Sequence, residues 1–159
     1  MPFLEKLHQA VNSVDSFEDK LKKYFEVMVH FYVANSTLWQ IICFEMLGGT
    51  NGCRVEPDGD DFKVIPRYNS VKVSEETSER ILRYHKILHD EYNILSQLIE
   101  QAMHDNLLKH DTVPEITTKF VFFGVAMSIF NQSDDIAADM TDEEAARIIT
   151  DHFLRGNAR

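Results

Sequence analysis

The sequence predicts an all-α fold, an antiparallel bundle of roughly five or six helices, and three observations carry that prediction. Apolar residues recur at spacings of three and four along most of the chain, the repeat of one helix face. Helix-start signatures, Ser16-Phe17-Glu18-Asp19 and Thr141-Asp142-Glu143-Glu144, stand at the head of two such stretches, each placing a hydroxyl where free amide groups need an acceptor. Third, the run from Phe120 to Phe130 is apolar on every side. It is shorter than the about 20 residues a membrane-spanning helix needs, and too apolar for a helix with one side in water. Its outer side must therefore be covered, by more of this chain or by a second copy.

The elements follow in order. Phe3, Leu4, Leu7, Ala10, Val11 and Val14 mark a short helix ending near Asn12 to Asp15. From the Ser16 start runs the stripe Phe17, Leu21, Tyr24, Phe25, Met28, Phe31 and Tyr32. Asn35-Ser36 reads as a stop and a new start, and Leu38, Ile41, Ile42 and Met46 carry a third helix to Gly48-Gly49. Residues 48–73 are rich in Gly, Pro, Asn and Asp and read as a loop insertion. Within it Cys53-Arg54-Val55-Glu56 and Phe62-Lys63-Val64-Ile65 flank Pro57-Asp58-Gly59-Asp60, a pattern that permits a small β-hairpin. A long amphipathic helix spans Ser74 to about Leu108, with Ile81, Leu82, Leu88, Tyr92, Leu95, Ile99 and Met103 as its inward stripe. Pro114, tolerated in a first turn, opens the apolar helix. The last helix runs from Thr141 through Ala145, Ile149 and Phe153 to Gly156 as its stop.

Length and composition bound the function. A chain of 159 residues reads as one domain, 1–159, long enough to bury a core. Lys and Arg are outnumbered 16 to 26 by Asp and Glu, giving a formal net charge of −10, and the basic residues are scattered. Gripping nucleic acid or an anionic membrane requires a concentrated basic surface, so neither is an expected direct partner. Cys43 and Cys53 make neither a disulfide framework nor a paired zinc motif, and no segment is built like a secretion signal, so the expected location is cytoplasmic.

The order and proportions of these elements resemble the C-terminal regulatory domain of TetR/AcrR-type transcriptional repressors. Local echoes are Asp111 and Pro114 ahead of the penultimate helix, Gly124 within it, and the closing Phe153-Leu154-Arg155-Gly156. The resemblance implies a ligand-enclosing bundle whose last two helices, within 114–155, form a homodimer. It implies that DNA is reached only through a helix-turn-helix not contained in this chain. The dimer interface it implies consists of Phe120, Phe122, Val125 and Ile129 on the penultimate helix and Ala145, Ile149 and Phe153 on the last.

Aromatic and Met side chains are plentiful, and for any one of them core packing is a sufficient explanation. Together Phe25, Met28, Tyr32, Trp39 and Ile42 from the first helices, Leu88 and Tyr92 from the long helix, and Phe123 and Met127 from the apolar helix would line one interior volume. Such a lining suits a small apolar or aromatic effector. His85 and His89, four apart on one helix face, are the pair to which a metal or haem would go, although neither matches a di-iron or zinc-protease motif. There is no Gly-x-Ser-x-Gly, phosphate loop or dinucleotide fingerprint, so neither catalysis nor a cofactor is expected. The sequence thus predicts a regulatory, effector-binding homodimer. The alternatives are a freestanding helical interaction module and a metal- or haem-binding helical protein using His85 and His89.

Overall fold

A computed structural model describes residues 3–37, 53–66, 72–109, 111, 113–130 and 140–159. They form five helices and one two-stranded antiparallel sheet, so the protein is mostly helical with a small β element. The helices are α1 (Phe3–Asn12), α2 (Phe17–Ala34), α3 (Glu75–His104), α4 (Pro114–Phe130) and α5 (Asp142–Asn157); the strands are β1 (Cys53–Asp58) and β2 (Asp61–Pro66). Most of the helix expected across Ser36 to Leu47, with Trp39 and Ile42, lies outside the described residues, as does the side chain of Ile129. The chain divides into two compact units, Met1–Asn35 with Glu91–Arg159, and Ser36–Asp90.

In the first unit α2 is the element on which α1, α4 and α5 all pack. Its start is local chemistry: the Asp19 amide donates to Ser16 Oγ at 3.1 Å, and Ser16 Oγ donates to the Asp19 carboxylate at 2.6 Å. Leu21, Tyr24, Phe25, Met28, Val29 and Tyr32 form its buried side. Leu7 and Val11 of α1 are buried, and the Phe3 ring stacks on Phe31 at 4.1 Å. Thr141 caps α5 by accepting from the Glu144 amide at 3.2 Å, and Phe153 of α5 meets Phe17 edge to face.

Two helix ends differ from expectation. The long helix stops at His104 rather than near Leu108. Asn106 adopts the left-handed conformation (φ 58), the Asn106 amide bonds Met103 O at 3.0 Å and the Leu107 amide bonds Ala102 O at 2.9 Å. That pair of bonds is a Schellman closure with Asn in the place Gly usually takes. The last helix in turn passes through Gly156 and ends at Asn157. Its end is held from outside: Lys109 Nζ donates to Gly156 O at 2.6 Å, the Lys109 amide to Asn157 O at 2.8 Å, and Leu108 pairs with Ala158 in an isolated bridge. The terminal carbonyls thus find donors without a glycine stop.

In the second unit β1 and β2 pair from Cys53↔Pro66 to Asp58↔Asp61, leaving Gly59-Asp60 as a two-residue turn. Gly59 has φ +65, and no other residue of the turn has positive φ. Glycine at the first turn position is the type II′ preference that matches strand twist.

Candidate functional site

The interior of the first unit carries a group that its apolar surroundings do not explain. Glu91 is 0% exposed. It occupies the helix position between Leu88 and Leu95, three after one and four before the other, so α3 turns it inward with its apolar stripe. Tyr32 Oη donates to Glu91 Oε2 at 2.6 Å, and Tyr24 Oη donates to the Glu91 main-chain carbonyl at 3.1 Å. Glu91 Oε1 is buried with no hydrogen-bond partner among the described residues. Burial pushes the Glu91 carboxyl up to about 8, with the Tyr32 hydrogen bond pulling modestly the other way. The group is thus mainly protonated at neutral pH. Burial, and then the nearby Glu91, hold the Tyr24 phenol well above its ordinary value. An unsatisfied buried polar atom costs about 1–3 kcal/mol, so Glu91 works against stability at this position.

Three of the expected effector-site residues, Phe25, Met28 and Tyr32, are fully buried on the face of α2 that carries this contact. Tyr92 is half-buried, with its ring against Phe122 and its hydroxyl donating to Glu115 O at 3.3 Å. Met127 is half-buried. Leu88 is half-buried and belongs to the second unit. Phe123, expected to face the interior, is 43% exposed, whereas Phe122, expected at the dimer face, is 1% exposed and packs on Tyr92 within the protomer. These two facings are corrections: on a helix apolar all round, the pattern does not identify the inward side.

A second feature is an apolar groove of about 620 Å³ formed by α2, α4 and α5. Val29 and Val33 come from α2, Phe120, Val121, Gly124 and Val125 from α4, and Ala145, Ile148, Ile149 and Phe153 from α5. Five of the expected dimer residues, Phe120, Val125, Ala145, Ile149 and Phe153, therefore share one surface feature. Phe120 is 76% exposed at its edge, and Ile116 and Phe123 continue an exposed apolar stripe on α4. Gly124 stands in the groove wall, and a Cβ added there would meet nothing within 4 Å. Nothing among the described residues requires glycine at that mid-helix position, where it costs about 1 kcal/mol relative to alanine.

His85 and His89 lie in the second unit with ring centroids 6.2 Å apart. The Phe62 ring of β2 meets both edge on, at 4.5 Å and 4.9 Å. Burial, then repulsion from His89, lowers the His85 pKa. An aromatic ring thus stands against both imidazoles, and among the described residues no three His, Cys, Asp or Glu side chains gather as a metal site. Cys53 is half-buried at the start of β1. Among the described residues no helix is long and apolar enough to cross a membrane.

Sequence reasoning missed Glu91. The available signal was its register with Leu88 and Leu95, an acidic residue at an inward position, which the surrounding charged residues of the same helix obscured. No family model, curated protein or solved structure matches the chain.

Proposed function

We propose that this chain is a regulatory module, a homodimer that binds a small, largely apolar effector in its first unit, in the manner of the regulatory domains of TetR/AcrR-type repressors. The observation that carries the reading is the groove of α2, α4 and α5 with exposed Phe120 at its edge and Gly124 in its wall. Isolated apolar residues on a surface are ordinary, but a contiguous apolar stripe beside an apolar groove marks an interaction site. The occupant is a second copy, because the same surface offers both a protruding aromatic residue and a recess, as a two-fold interface requires. Gly124 then allows close helix approach across the interface.

Effector binding would favour one arrangement of the two copies over another, by no more than its difference in affinity for the two. DNA would be contacted through a helix-turn-helix outside this chain, in the cytoplasm, with no catalytic step. The test is sedimentation equilibrium of the full chain. The expected result is a dimer, converted to monomer by Phe120→Glu with the helical circular-dichroism signal retained. A monomeric wild-type protein, or a Phe120→Glu variant that stays dimeric, overturns the reading.

A further inference from the structure

We propose that Glu91 is the polar anchor of the effector site, and that the effector it selects is an amine cation carried on an apolar body. This deepens the effector reading above and rests on it. The Glu91 carboxyl is enclosed, has one oxygen engaged by Tyr32, and presents the other to no partner among the described residues. Among the described residues no Lys or Arg pairs with it, and the titratable groups that hydrogen-bond to it are the phenols of Tyr24 and Tyr32, both from α2. The Phe25 ring stands edge to face with Tyr24 at 5.3 Å, and Met28 is buried on the same helix side.

An enclosed carboxyl beside aromatic rings complements a cation in two ways. An ammonium donates the hydrogen bond that Oε1 lacks, and aromatic faces attract its charge in a desolvated site. A neutral alcohol or amide supplies only the first of these. The formal net charge of −10 further concentrates cations near the protein.

The chemistry balances as a proton exchange. An ammonium ion in water meets Glu91 in its protonated form, the ion pair forms, and the carboxyl proton leaves to solvent. One proton is released per amine bound wherever Glu91 starts neutral, which holds below about 8. Amine affinity should then rise about tenfold per pH unit until that value is reached, and level off above it.

The experiment is titration calorimetry of the full chain with phenylalkylamines of two to six methylenes and their uncharged isosteres, in which a methyl group replaces the amino group. Two buffers of different ionisation enthalpy at pH 6.5 measure the proton released. The expected result is preference for an amine over its isostere, release of about one proton with the amine only, and at least tenfold weaker amine binding in Glu91→Gln with isostere binding unchanged. Equal binding of amine and isostere without proton release overturns the anchor and leaves the effector reading standing. Failure of every amine and every isostere to bind overturns both.

Discussion

A carboxyl group enclosed among tyrosines responds to pH differently from one on the surface, and Glu91 makes the response measurable. Its pKa stands at about 8 in the fold against an ordinary value of 4.5. Between those values the folded protein holds a proton that the unfolded chain has lost, so stability falls as pH rises through that window. The contribution is fully present below 4.5 and gone above about 8. Glu91→Gln keeps an acceptor for Tyr32 and cannot ionise. It should gain about 4–5 kcal/mol over wild type at pH 8.5 and about nothing at pH 4.5, read from urea unfolding. A variant whose profile runs parallel to wild type would remove Glu91 as the source. His85 gives the opposite sign. Its pKa is lowered, so its neutral form favours the fold above the ordinary histidine range, and that contribution is lost as pH falls through the lowered value. Phe62 supplies part of the cover, at 4.5 Å. Phe62→Ala should therefore raise the His85 pKa toward its ordinary value, visible in the imidazole proton shifts by NMR; an unchanged titration would place the cover elsewhere.

At the scale of elements, the parts governed by neighbours in sequence were legible and the parts governed by distant contacts were not. The Ser16 and Thr141 starts were readable because a cap is satisfied within three residues, and both side chains accept the expected amide. Ser16→Ala and Thr141→Ala should each cost about 1 kcal/mol of thermal stability. The hairpin was readable from alternation around Asp58-Gly59, and its turn depends on the positive φ of Gly59. Gly59→Ala should cost about 1–2 kcal/mol locally and speed amide exchange across residues 53–66, with helical amides unaffected. Uniform protection there would show that the turn does not govern the hairpin. The end of α3 was misplaced because Asn106 performs a closure usually signalled by glycine. The end of α5 was misplaced because Lys109, some distance away in sequence, supplies donors to its last carbonyls. Facing failed on α4 for a related reason. Where every position is apolar, only packing decides that Phe122 turns inward and Phe123 outward.

For the whole molecule the question is what occupies the groove of the first unit, and Gly124 allows it to be asked without disturbing the protomer. A side chain at that position meets nothing among the described residues at the Cβ distance, and the groove beyond holds about 620 Å³. Replacing a mid-helix glycine by a good helix former stabilises a protomer by about 1 kcal/mol when no clash results. The same side chain takes space from any helix packed against that wall. Gly124→Leu should therefore separate two quantities that most interface mutations change together. Under conditions where the protein is monomeric, the midpoint of urea unfolding should rise. In sedimentation equilibrium at micromolar concentration, the dimer should weaken by at least tenfold, about 1.4 kcal/mol. Gly124→Ala, which adds one methyl, should fall between wild type and Gly124→Leu in dimer affinity while keeping most of the stability gain. A Leu variant that dimerises as tightly as wild type would mean that the second copy sits elsewhere, and that Phe120 and its groove serve a different occupant. A Leu variant that destabilises the monomer would mean that the groove wall is closed by the protomer's own packing in solution. The outcomes differ because a glycine kept for a neighbour within the chain and one kept for a partner impose opposite signs on the monomer.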